Sequence, residues 1–121
     1  MTKPVDYKKL TSLAANIEAE LKSIGVWSNE DSLPEEKFKN MGTFGINTMA
    51  LVEWLQYVLL PTIHDKIKNK KELPSNSMIG VHAVREFDGD SRYSYLCDLL
   101  IQLDELANGY AQSSFITWFD H

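Results

Sequence analysis

The apolar positions of this chain recur mainly with helical spacing. Leu10, Leu13, Ala14, Ile17, Leu21 and Ile24 follow one another at steps of 3, 1, 3, 4 and 3, which is one face of a helix. They predict a first helix from about Val5 to Ile24, closed by Gly25 as the left-handed residue after the last turn. Lys8, Lys9, Glu18, Glu20 and Lys22 fall off the stripe and belong to water. A second helix begins at Asn47 or Thr48, either of which can cap it. Leu51, Trp54, Leu55 and Val58 form its stripe, and Met49, Glu53, Gln56 and Leu60 fall opposite on a wheel of ~100° per residue. A helix that is apolar nearly all round, with two polar groups cut into its second face, has the pattern of a central helix in a bundle. Pro61 predicts a kink, because it lacks an N–H and its ring presses on the carbonyl of Tyr57. Ile63 and Ile67 continue the pattern, lysines from Lys66 to Lys71 meet the negative end of the helix dipole, and Leu73-Pro74 ends it.

A third long helix runs from a cap at Asp90 or Ser91 to about Asn108. Leu96, Leu99, Leu100, Leu103, Leu106 and Ala107 form its face, and Gly109 supplies the stop. Between the first two helices, residues 28–47 read as a connector. Ser32-Leu33-Pro34-Glu35 has the order of a capping box with proline in the first turn, and Phe38 is the ring expected to pin that short piece. Gly42 and Gly45 prevent a continuous helix, while Phe44 and Ile46 are expected to pack on the core. Glu30, Asp31, Glu35 and Glu36 read as a solvated cap, since no glycine-punctuated loop of calcium spacing accompanies them. Met78 to Val84 reads as loop with at most a turn of helix, because Gly80 interrupts it and Gly89 follows. No run has strand period. The fold class is all-α: a bundle of three long helices plus one or two short ones, forming a single domain over residues 1–109.

Charge changes this picture locally. The 121 residues carry a formal −5. The first 87 are neutral, so the acidity belongs to Asp88, Asp90, Asp98, Asp104, Glu105 and Asp120, set against Arg92 alone. A globally basic nucleic-acid binder is excluded. The single Cys97 cannot form an internal disulfide, which predicts a reducing, cytoplasmic setting. The stretch Thr2 to Lys9 has no apolar block of a signal peptide. Met49 to Ile63 is about 15 residues long and holds Glu53 and Gln56, short of the ~20 a membrane span needs. After Gly109, Phe115, Ile116, Trp118 and Phe119 put four bulky apolar residues into five positions. Such a tail, residues 110–121, is expected to fold back on the bundle or to exchange between the subunits of a homodimer.

No catalytic constellation is present. Cys97 lies beside the leucine stripe with no histidine paired to it, so it reads as a packing residue. No phosphate loop and no Cys/His metal spacing occurs, and neither metal nor cofactor is expected. Glu53 and His64, eleven residues apart, share a face but lie ~16 Å apart along the axis. The best candidate for a site is the second face of the central helix: Glu53, Gln56, Tyr57 and His64, bordered by Trp54 and Leu60. These residues could line a small pocket, or Glu53 could cap a neighbouring segment or pair with Arg85 or Arg92. A buried Glu53 without a cation would favour the pocket. Lys66, Lys68, Lys70 and Lys71 form a basic patch that could touch RNA. The chain lacks the paired aromatic platform and arginines that RNA readers add, so the patch reads as a solvated helix end.

One segment carries a resemblance. Phe44-Gly45-Ile46-Asn47-Thr48-Met49, Glu53-Trp54-Leu55-Gln56-Tyr57-Val58-Leu59-Leu60-Pro61, His64-Asp65 and Leu73-Pro74 resemble the YqcC family of small bacterial proteins, with a similar layout over roughly residues 7–108. The resemblance implies an all-α cytoplasmic protein of bacterial origin and brings no catalytic motif. In some bacteria the family's gene lies beside that of a tRNA pseudouridine synthase, which implies an accessory role in RNA modification. Residues 85–92 and the aromatic tail depart from the family's pattern. The expectation is a non-enzymatic helical protein that binds another protein; the alternative is a small-ligand-binding bundle using the polar strip.

Overall fold

The computed structural model describes residues 5–74 and 77–110, and every regular element among them is helical. Helix α1 spans Tyr7–Ser23 and starts where Asp6 accepts a hydrogen bond from the Lys9 N–H at 2.9 Å. Its predicted stripe is buried from Leu10 to Leu21. Gly25 closes it at φ 78°, with the Val26 N–H reaching back to the Leu21 carbonyl at 3.1 Å, an arrangement open to glycine without strain. The connector contains two short 3-10 turns, Glu35–Phe38 and Thr43–Gly45. Pro34, not Ser32, stands at the start of the first, and the Ser32 hydroxyl donates to the Leu33 carbonyl instead of capping. Phe38 and Ile46 face water at 37% and 64% exposure. Backbone-directed bonds secure this loop in their place: the Thr48 hydroxyl donates to the Lys37 carbonyl, and the Asn47 amide to that of Asn40.

The central helix comprises α2 (Leu51–Trp54), a π segment (Leu55–Leu59) and α3 (Leu60–Lys68) in unbroken succession. Its cap is neither Asn47 nor Thr48. Ala50 occupies that position, and the Glu53 carboxylate accepts the Ala50 N–H at 2.9 Å. The π segment holds an extra residue in its turn, with the Leu60 N–H bonding the Leu55 carbonyl five residues back. That shifts the phase of the buried face by one position. Leu59, Leu60 and Ile63 are buried, whereas Val58 is only half-buried, so the expectation for Val58 and Leu60 is reversed. Pro61 follows directly on the π segment inside this continuous helix, where it adds no N–H to the hydrogen-bond ladder. The Thr62 hydroxyl donates to the Val58 carbonyl at 2.7 Å.

Residues 79–87 are not a loop. Ile79–Phe87 form helix α4, followed by a 3-10 turn at Ser91–Tyr93 and then α5, Ser94–Tyr110. Asp90 caps that entry through the Arg92 N–H at 3.0 Å. Helix α5 continues through Gly109, which does not stop it. Gly80 does not break α4 because it is the point of closest approach to α5. A Cβ there would lie 2.6–2.8 Å from Ile101 side-chain and backbone atoms. The N-terminus of α4 is capped from the neighbouring helix. One oxygen of buried Asp104 accepts the Ile79 N–H at 3.0 Å and the Ser77 hydroxyl at 2.6 Å; the other accepts the Gly80 N–H at 2.7 Å. Asn108 adds a two-way bond with the backbone of Ser77. Helix α1 packs on both α5 and α3, and α4 packs on α5. The expected docking or exchange of the tail falls on residues 111–121, outside the described residues.

Two substitutions test this crossing. Gly80→Ala forces a methyl into backbone atoms and should cost ~1–3 kcal/mol, read as a lower urea midpoint. Asp104→Asn presents an amide N–H₂ to one of the donors the carboxylate now satisfies. It should destabilise by on the order of 2 kcal/mol and raise amide exchange at Ile79 and Gly80 ahead of α1. Unchanged exchange at those two amides would show that Asp104 does not hold α4.

Candidate functional site

The polar strip of the central helix is assembled, but its groups are engaged within the chain. Gln56, buried, forms a paired bond with the Ser28 backbone: the Ser28 N–H donates to Oε1 at 2.8 Å and Nε2 donates to the Ser28 carbonyl at 2.7 Å. The Tyr57 hydroxyl donates to the Glu30 carbonyl at 2.7 Å. Besides Ala50, Glu53 meets Lys37, whose Nζ lies 3.2 Å from Oε2. The cation expected from Arg85 or Arg92 thus comes from the connector. Trp54 is a core residue at 1% exposure; its ring meets Phe44 edge-on at 5.3 Å. His64 stands exposed on α3, outside this set. An open depression of about 400 Å³ lies against Gln56, Tyr57, Trp27 and Pro61, yet the Gln56 and Tyr57 polar atoms there hold residues 28–30 in place.

The lysines do not form one patch. Lys66 is buried, with Nζ donating to the Glu72 carbonyl at 3.3 Å. Lys70, at φ 53°, carries its ammonium to 4.7 Å from the Tyr7 ring centre. Lys71 pairs with Asp65 at 2.6 Å, and Lys68 is exposed at the last residue of α3. The Tyr7 hydroxyl donates to the Lys71 carbonyl at 2.9 Å. The segment ties the start of α1 to the end of α3.

A second surface is hidden from the sequence pattern, because Gly80 masks the helix that carries it. On α4, Ile79, Gly80 and Ala83 face inward, while Val81 and Val84 are exposed at 43% and 49%, as is Met78 at 54% in the N-cap position just before the helix. Their three-residue spacing is the signal that could have found them. Val84 shares a depression of about 210 Å³ with Phe87, Asp90, Ser94, Cys97 and Asp98. The depression is rimmed by a stack: Phe87 lies 3.9 Å from Tyr93 at 5°, with the Arg92 guanidinium 4.7 Å above Tyr93. Burial, and then the Asp98 charge, push the Cys97 thiol up, so it is protonated at neutral pH and a poor nucleophile. Among the described residues, no group of three or more His, Cys, Asp or Glu side chains could hold a metal ion, and no helix is long and apolar enough to cross a membrane.

Two titrations follow from these contacts. The Lys71 hydrogen bond, aided by Asn69, holds the Asp65 carboxyl below its ordinary value. A depressed folded-state pKa stabilises above the unfolded value, about pH 4, and the effect is lost as pH falls through the lower folded one. The small difference in urea midpoint between wild type and Asp65→Asn should therefore close in acid. Cys97 should react slowly with a disulfide reagent at pH 7 in the folded protein and rapidly in denaturant.

The model of family DUF446, described as tRNA pseudouridine synthase C, matches residues 9–106. The uncharacterized protein YqcC of Escherichia coli (strain K12) is 40% identical over 58 residues, 48% of this chain and 52% of that protein. The sequence match thus spans about half the length of that curated relative. The solution NMR structure of YqcC from the same species is similar with a TM-score of 0.78 at 24% identity, covering 97% of this chain and 99% of that one. This supports the all-helical architecture as a likeness of fold. With so much of its length inside the family's model, the chain belongs to DUF446.

Proposed function

We propose that this protein is a non-catalytic helical accessory protein that binds another protein through the outer face of α4. The observation that carries this reading is the exposed pair Val81 and Val84, continued by Met78 at the N-cap, on a helix whose position is fixed by buried hydrogen bonds. Apolar side chains clustered on a rigid element mark contact surfaces more often than isolated ones do. The polar strip, by contrast, spends Glu53 on its own helix start and on Lys37, and Gln56 and Tyr57 on the connector backbone. The description borne by the family model, tRNA pseudouridine synthase C, supports an RNA-modifying enzyme as the class of partner.

Full-length wild type, Val81→Asp and Ile46→Asp serve as baits in native lysate, with circular dichroism confirming the fold of each. Ile46 is exposed on the connector and is the control. Wild type and Ile46→Asp should recover a common protein that Val81→Asp loses by tenfold or more. Equal recovery by all three baits, or none reproducible at several salt concentrations, rejects the α4 face. Pseudouridine formation on tRNA by the purified chain would reject the non-catalytic assignment.

A further inference from the structure

We infer that the α4 row receives a cationic amphipathic helix, with the partner's lysine or arginine flank lying over α5. This rests on α4 being the docking face and specifies the chemistry of what docks. From the N-cap Met78 to Val84 the row extends about 9 Å at ~1.5 Å per residue, room for roughly one and a half turns of a partner helix. Helix α5 runs beside it: Ile101 abuts Gly80, Asp104 lies under the start of α4, and Asp98 shares the depression with Val84. Asp98 and Glu105 are both exposed, seven residues apart, so they lie on one side of α5 about 10 Å apart. An acidic row therefore accompanies the apolar row over the same length.

The charge of the surroundings is predominantly negative, with Arg85 the one exposed cation on α4 itself. Residues 77–110 contain six carboxylates and only two basic side chains, Arg85 and Arg92. Arg92 is already turned to Asp90 at 3.8 Å and to the Tyr93 hydroxyl at 2.9 Å. Asp104 is consumed by α4, which leaves Glu86, Asp88, Asp98 and Glu105 exposed around the row. An anionic partner would meet this fringe with like charge, whereas a basic flank would be steered to it. A second copy of the chain would place the same carboxylates against one another. A helix laid on an apolar row between charged borders is a recurring mode of peptide recognition.

The test uses the full chain and two peptides of matched length, an amphipathic Lys/Leu helix and its Glu/Leu counterpart, followed by amide chemical shifts. The Lys/Leu peptide should bind, with shifts concentrated at residues 78–84 and 98–105, and the Glu/Leu peptide should not. Val81→Ser with Val84→Ser should weaken binding at least tenfold; Asp98→Asn with Glu105→Gln should weaken it severalfold and flatten its salt dependence. Ile46→Ser should change nothing. Equal binding of both peptides, or affinity indifferent to the two serines, overturns the inference. So do cross-peaks linking the row to a second copy or to residues 111–121 of the same chain. If Val81→Asp still loses a lysate partner while the Lys/Leu peptide fails to bind, the docking face stands and the cationic partner falls.

Discussion

The arrangement on which the second half of the molecule depends is the buried Asp104 carboxylate beneath the start of α4. A nine-residue helix is too short to persist in water by itself. Its first N–H groups have no partner within the helix. Asp104 supplies two of them, and the Ser77 hydroxyl, with acceptors from a neighbouring helix, and a carboxylate at a helix N-terminus also meets the positive end of the dipole. Gly80 lets the two backbones close to a distance that any side chain would prevent. The two devices need each other: the carboxylate reaches the Gly80 N–H only because the crossing is tight, and the crossing persists because those donors are satisfied.

From α4 the constraint passes inward. His82 stacks on Phe44 at 4.3 Å, and Phe44 meets Trp54 in the core. The connector is thereby clamped between α4 and the central helix, although Phe44 itself sits at φ 57°, a conformation uncommon outside glycine. On its other side the connector is held by Gln56, Tyr57 and Glu53. Glu53 precedes the π segment, and Gln56 and Tyr57 lie within it, where the helix takes up an extra residue. Gln56 comes to lie buried next to Ser28, and Leu60, not Val58, enters the core. The proline and the π segment together let one helix serve two faces.

The first helix, its glycine stop and the leucine face of the last helix are legible in the sequence because each depends on local periodicity. The phase of the central helix beyond Leu55 is not, since a wheel at a fixed angle has no means of showing an inserted residue. Helix α4 escapes for a related reason. Gly80 reads locally as an interruption, and what reverses that reading is Asp104, 24 residues away. Glu53, Gln56 and Tyr57 stand out in the sequence as unusual polar groups on an apolar helix, and the structure gives each a partner. Most of those partners are backbone groups of the connector, which leave no mark in the sequence, and Lys37 is one of several lysines that could have met Glu53. The exposed row at Met78, Val81 and Val84 shares the fate of its helix.

The net charge of −5 gains a location from this. In the described part of the chain, the carboxylates after Glu86 fall into two groups. Asp90 and Asp104 cap helices, whereas Asp88, Asp98 and Glu105 are exposed. Exposed charges that close no contact are cheap to keep and act on what approaches, by attraction that extends about 8 Å in physiological salt. Apolar side chains next to them act only on contact. A surface combining the two selects first by sign and then by fit, and α4 with the neighbouring side of α5 presents both on elements joined through Asp104. Rigidity matters to such a surface, because a row that had to order itself on binding would lose affinity to that ordering. The same buried carboxylate that makes α4 a helix therefore also makes it a preformed face.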